Sequence, residues 1–254
     1  MSRIVIASRD DAPLGTFPSS PSVRFAVGIE SRAVIVGDDR PIQFWVHEAR
    51  PGAEISWDHP ADDHLLFVQS GEVRDGDKIV GADEVYIVEH GARSTLRAGE
   101  RGAELAHFFR IDGAPPRSGG HVHALDRAKI RVGSDPTIPG ITITLFADAT
   151  CPTCQVWLHG TIFTTPGFKA WPHSHTEDEV IYIVGGEMRL GTTLLKPGTA
   201  VAIDTDTVYS FEAGPEGLHF INYRVGEPIH VPVGTDRAPI NERVHMNQVI
   251  FSRS

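Results

Sequence analysis

An all-β protein assembled from two copies of one unit is what this sequence predicts, and three observations carry that reading. The 25 glycines and 18 prolines cut the chain into short runs rich in Val, Ile, Thr, Phe and Tyr, with turn signals roughly every 8–12 residues, the rhythm of a sandwich or barrel. Stretches of helical periodicity are scarce, residues 62–69 and 236–245 being the best candidates. The third observation is internal repetition, which decides the architecture wherever it occurs.

The repeat is read element by element. The strand candidate LLFVQSG at 65–71, followed by Glu72, matches VIYIVGG at 180–186, followed by Glu187. Residues 81–99 match 197–214, each a small-residue turn, a β run, a polar bend and a second β run. LAHFFR ending at Arg110 matches HFINYR ending at Arg224, and the lead-ins at 3–15 and 129–140 also correspond. Residues 85–89, 141–145, 199–203 and 219–223 are further strands by β-branched content. The resulting organisation is an N-terminal barrel at 1–111, a linker at 112–128, a C-terminal barrel at 129–226 and a tail at 227–254 packing on the barrels. The linker is rich in Pro, Gly and Ser, and its His121 and His123 read as solvated, with a ligand pair as the alternative.

Composition sets outer limits. With 41% hydrophobic and 22% charged residues the chain is ordinary globular material. Its net charge of −10 comes with no basic stripe, which argues against a nucleic-acid partner. No run approaches the roughly 18 apolar residues of a membrane span, and charges interrupt MSRIVIASRDD at the start, unlike a signal peptide. A cytoplasmic protein without a membrane partner is expected by elimination. Cys151 and Cys154, the two cysteines, stand as Cys-Pro-Thr-Cys between two strand candidates. The spacing matches half of a zinc ribbon or a redox pair, but without a second pair the first reading is two small turn residues, with a disulfide or redox role as the alternative.

The chemistry is concentrated in GFKAWPHSHTEDEVIYIVGG, residues 167–186. On a strand, side chains at i and i+2 share a face, so His173 and His175 present two imidazoles to one point. Glu179 lies across a short polar turn and can direct its carboxylate there too. Two His and one carboxylate on one side of a cation leave the other side open, as a catalytic metal requires. Three polar side chains in an apolar barrel without a cation would be costly to desolvate. Alternation adds the pocket: Lys169 and Trp171 share the parity of His173, Ile181 that of Glu179, and Phe211 that of Tyr209, giving an aromatic wall for a small, partly apolar ligand. His219 is a further candidate on the last strand.

In that segment Gly167, His173, His175, Glu179 and Gly186 fill every position of G-x5-H-x-H-x3-E-x6-G. This resembles the first motif of the cupin superfamily. The second cupin motif is matched only by spacing: Gly198 fits, whereas Asp204, Asp206, Tyr209 and Ala213 stand where Pro, Gly, His and Asn are usual. The resemblance implies two double-stranded, jelly-roll-type barrels. It also implies one divalent transition metal in the C-terminal barrel, with iron or manganese favoured and zinc, nickel, cobalt or copper open. Tyr209, in place of the usual third histidine, is a metal ligand as phenolate, a catalytic hydrogen-bond donor, or a wall residue. The leading expectation is a dioxygenase-like enzyme on a small organic substrate; an isomerase or lyase, and a non-catalytic metabolite sensor, are the alternatives. Two fused barrels suit a monomer that mimics a dimer, or a homodimer. In the N-terminal copy Asp58, Pro60 and His64 fall opposite His173, His175 and Glu179. That barrel is expected to lack metal, with an altered site at Asp58, His59 and His64 as the competing view.

Overall fold

The structure, a computed structural model, describes residues 3–17, 22–25, 27–111, 118–154, 156–246 and 249–251. The chain divides into two units, one of residues 9–130 with 152–154, the other of residues 1–8, 131–151 and 155–254. Among the described residues the N-terminal unit carries a nine-stranded sheet and the C-terminal unit a twelve-stranded one. The fold is all-β.

Both sheets repeat one strand order. In the C-terminal unit, Glu179–Leu190 lies between Thr199–Ile203 and Tyr209–Val225, which continues to Val156–Phe163 and Ile141–Asp148. In the N-terminal unit, His64–Asp75 lies between Val85–Val88 and Arg93–Arg110, followed by Ile42–Ala49 and Ile29–Ile35. The glycine that ends each LLFVQSG or VIYIVGG run sits in the left-handed region, at φ 75° for Gly71 and 65° for Gly186. A Cβ on Gly186 would stand 2.2 Å from the Gly217 carbonyl oxygen, and one on Gly71 2.0 Å from that of Gly102. Only glycine fits both the conformation and the approach. The register shifts on either side of these glycines in both copies, so one bulge bends each long strand over its core. Those cores are separate. Trp45, Trp57, Leu66, Tyr86 and Leu105 fill the first, and Trp157, Ile181, Ile183, Val201 and Phe220 the second.

Several expectations change. Residues 62–69 are not helical; from His64 they form a strand buried on both faces, a pattern that periodicity does not separate from a buried helix. Of residues 236–245, only those in the short helix Glu242–Met246 are helical. Within 112–128, residues 112–117 lie outside the described ones, and Val122–Leu125 is a strand antiparallel to Val85–Val88. The first residues belong with the C-terminal unit: Ile4–Ser8 pairs antiparallel with Thr199–Ile203, covering an edge that would otherwise present open backbone groups. The tail also joins this unit, with Ile229–Pro232 alongside Lys169–His175. Among the described residues no helix is long and apolar enough to cross a membrane.

Candidate metal centre and substrate pocket

The strand Lys169–His175 is exposed at its start and buried over its last three residues. His173 and His175 are 7% and 4% exposed, and the tail strand sets His230 opposite His175. Ligand nitrogens of His173, His175 and His230 lie within 4.8 Å of one another. His173 Nδ1 stands 2.6 Å from the Trp171 carbonyl. A carbonyl only accepts, so Nδ1 carries the proton and Nε2 keeps its lone pair, the orientation metal-binding imidazoles adopt. The His230 ring stacks on that of His173, centroids 4.7 Å apart.

Glu179 is committed elsewhere as well. Its Oε2 accepts from Asn222 Nδ2 at 2.8 Å and from Arg224 Nε at 2.9 Å. Its Oε1 is buried without a hydrogen-bond partner, 3.3 Å from His175 Nδ1. Glu242, at the start of the short helix, meets His175 Nε2 at 3.0 Å and Arg224 Nη1 at 3.3 Å. Burial alone would raise both carboxylates; Arg224 and then His175 outweigh it and hold both below the usual range. Burial and Arg224 lower His175, but Glu179 and Glu242 outweigh them and raise it. Tyr209 is pushed well above its ordinary range by burial and by the Glu179 carboxylate, so it is a neutral hydroxyl.

These residues fit a divalent cation. Three imidazoles converge, one of them held by a carbonyl, and a buried Glu179 oxygen lies 3.3 Å from the nearest of them, His175. Two buried carboxylates also face one buried guanidinium, an excess of one negative charge that a bound cation or a protonated His175 can balance.

The histidines open onto a cavity of about 690 Å³, within the range of small-molecule sites. Ile141, Phe163, Phe168, Ile181, Phe211 and Phe220 form an apolar wall, and His159, Asn222 and Arg224 join the polar end. Of the residues predicted from sequence, Lys169, Trp171, Ile181, Tyr209 and Phe211 line this cavity with His173 and His175. Two need qualification. Trp171 is 73% exposed, because the register shifts between Ala170 and His173 and breaks the parity that would have turned it inward; it stands at the mouth. Lys169 is exposed and pairs with Glu212 at 3.6 Å. Glu179 and His219 are not among the lining residues. Phe220, Asn222 and Arg224 take the inward face of Tyr209–Val225, which leaves His219 on the other.

Sequence reasoning missed His159, Asn222, Arg224, His230 and Glu242. His230 and Glu242 lie in a tail outside the repeat; the I-H-V-P run at 229–232, a β run with one histidine, was their one visible signal. His159 is buried and accepts from Trp157 Nε1 at 2.9 Å, with its pKa pushed down to about 3 by burial and Arg224.

The N-terminal interior is organised differently. His47 Nε2 and His64 Nδ1 lie 2.9 Å from the two ring nitrogens of His107, and His47 Nδ1 is 2.8 Å from Ser31 Oγ. Four of the six ring nitrogens thus pair with one another. Asp58 and His59 do not join them: Asp58 pairs with Arg93 at 2.8 Å on the surface, and His59 Nδ1 bonds the Gly91 carbonyl at 2.6 Å. Asp58 and His59 are exposed, with left-handed backbone at His59, φ 53°.

No family model and no curated protein sequence matches the chain. Solved structures do. YlbA from E. coli, described under the family model DUF861, superposes with a TM-score of 0.65 at 9% identity, covering 87% of this chain and 90% of that one. Oxalate decarboxylase from Lactobacillus farciminis, solved as a formate complex, gives 0.65 at 12% identity over 95% and 89% of the two chains. A protein from Nostoc punctiforme provisionally named a dioxygenase gives 0.66 at 10% over 94% and 86%. At these identities the likeness is one of fold, and the fold is that of the two-barrel cupins.

Proposed function

We propose that the C-terminal barrel is a metal-dependent, dioxygenase-like enzyme site for a small, mostly apolar or aromatic molecule bearing one or two oxygens. The observation that carries this reading is the convergence of His173, His175 and His230 at the polar end of an apolar cavity. A divalent cation on these imidazoles, iron or manganese, would supply Lewis-acid and redox chemistry. Glu179 Oε1 is the further donor, and Asn222 and Arg224 fix the other oxygen of that carboxylate. The ligand set expected from sequence is thereby revised: His230 joins it, and Tyr209 serves as a hydroxyl donor.

The surrounding residues bind and orient. The phenylalanine wall excludes water and holds an apolar body. The Tyr209 ring packs 4.4 Å from that of His173 and can donate to an anionic oxygen of the substrate. Arg237 and Lys169 at the mouth favour an approaching anion. That proteins of this fold carry the names dioxygenase and oxalate decarboxylase supports enzymatic chemistry on small molecules in such a barrel.

Elemental analysis of protein prepared without a polyhistidine tag, followed by oxygen uptake of the iron-loaded protein with catechols, diketones and flavonols, tests the proposal. About one iron or manganese ion per chain and oxygen uptake abolished in His173→Ala are expected. Turnover without oxygen consumption would replace the dioxygenase with an isomerase or lyase. Tight ligand binding without turnover would make the barrel a sensor, and inability to take up metal would leave a protonated His175 as the balancing charge.

A further inference from the structure

Cys-Pro-Thr-Cys, left by the sequence as a turn, does more than turn the chain. Pro152–Cys154 belongs with the N-terminal unit, where the Thr153 hydroxyl donates to Glu89 Oε1 at 2.6 Å. Glu89 follows the strand Val85–Val88 and is fully buried. It receives His123 Nε2 at 2.7 Å on Oε1 and the backbone N–H of His121 at 3.1 Å on Oε2. His123 is aimed there by the strand Val122–Leu125, in register opposite Ile87. The Cys154 thiol is buried beside them, and the ligand atoms of Glu89, His123 and Cys154 lie within 4.8 Å of one another. Tetrahedral zinc, with bonds of roughly 2.0–2.3 Å, sets its ligands roughly 3.3–3.8 Å apart, so small side-chain rotations close the set.

We propose that Glu89, His123 and Cys154 form a zinc site in the N-terminal unit, apart from the C-terminal pocket. Thiolate, imidazole and carboxylate are all zinc ligands, and water completes the four. Thiolate and imidazole select zinc over the harder cations that all-oxygen sites take. The ion fastens three positions far apart in sequence, residues 89, 123 and 154, and its binding energy adds to the stability of the folded unit.

The test uses the full-length protein with His173→Ala and His230→Ala already in place, so that the pocket cannot bind the probe. Cobalt(II) added to the metal-stripped protein is expected to give a thiolate-to-cobalt charge-transfer band at one equivalent. The band is lost in Cys154→Ser and weakened tenfold or more in affinity by His123→Ala or Glu89→Gln. Should Cys154→Ser fail to fold, thiol reactivity in the parent replaces it: zinc is expected to slow modification of the thiols, and a chelator to restore it. No charge-transfer band, thiols equally reactive with and without zinc, or a disulfide between the two cysteines in freshly prepared protein would each overturn the site.

Discussion

At the residue scale, His173 and His175 were legible because a two-residue period on a strand is geometry any sequence displays. Glu179 was only half legible. Its spacing identified a buried carboxylate, but its partners Asn222 and Arg224 come from a strand far along the chain, and nothing local announces them. Glu179→Gln leaves the Arg224 guanidinium, 2% exposed, short of a charge partner. Glu242 still faces it at 3.3 Å, so urea unfolding of the variant should show a loss below that of a buried pair broken outright, about 3–5 kcal/mol. His230→Ala removes one imidazole and leaves Glu179, Glu242 and Arg224 in contact. Metal affinity should fall at least tenfold while the unfolding midpoint of the metal-free protein changes little, as titration and denaturation of the same sample would show.

At the scale of elements, the repeated glycine is the clearest success of sequence reading, since the position that closes the motif is the one where a bulge needs positive φ. Gly186→Ala meets both left-handed backbone and the Gly217 carbonyl. Strain alone costs about 1–3 kcal/mol, and the denaturant midpoint should fall accordingly. Short strands supplied from outside the repeat were not legible. Val122–Leu125 reads as linker because it is only four residues long and follows Gly119 and Gly120 after a single histidine, and Ile4–Ser8 gives no sign that it pairs with residues 199–203. Deleting residues 1–8 should uncover that strand edge and increase self-association, measurable by light scattering against the full chain.

At the scale of the whole molecule, the two-copy architecture was legible from self-similarity, whereas its boundaries were not, because segments 1–8 and 152–154 each belong with the unit that a linear reading would not assign them. Acid should weaken the N-terminal unit. Burial lowers His47 and His64 to about 3, against 6.5 in an unfolded chain. Between those values the unfolded chain binds more protons than the folded one, so stability rises with pH. The contribution is complete above about pH 6.5 and is lost as pH falls toward 3. Circular dichroism across this window should show the N-terminal unit weakening progressively, and replacing His64 with Gln should flatten that dependence.

The step in register that leaves Trp171 at the cavity mouth has an optical consequence. The chain has four tryptophans, and Trp45, Trp57 and Trp157 are at most 5% exposed. Emission excited at the red edge is therefore weighted toward a single indole in water. A molecule seated in the barrel would dry that indole, shifting its fluorescence to the blue and shielding it from iodide, so occupancy can be followed without a label and before any substrate is known.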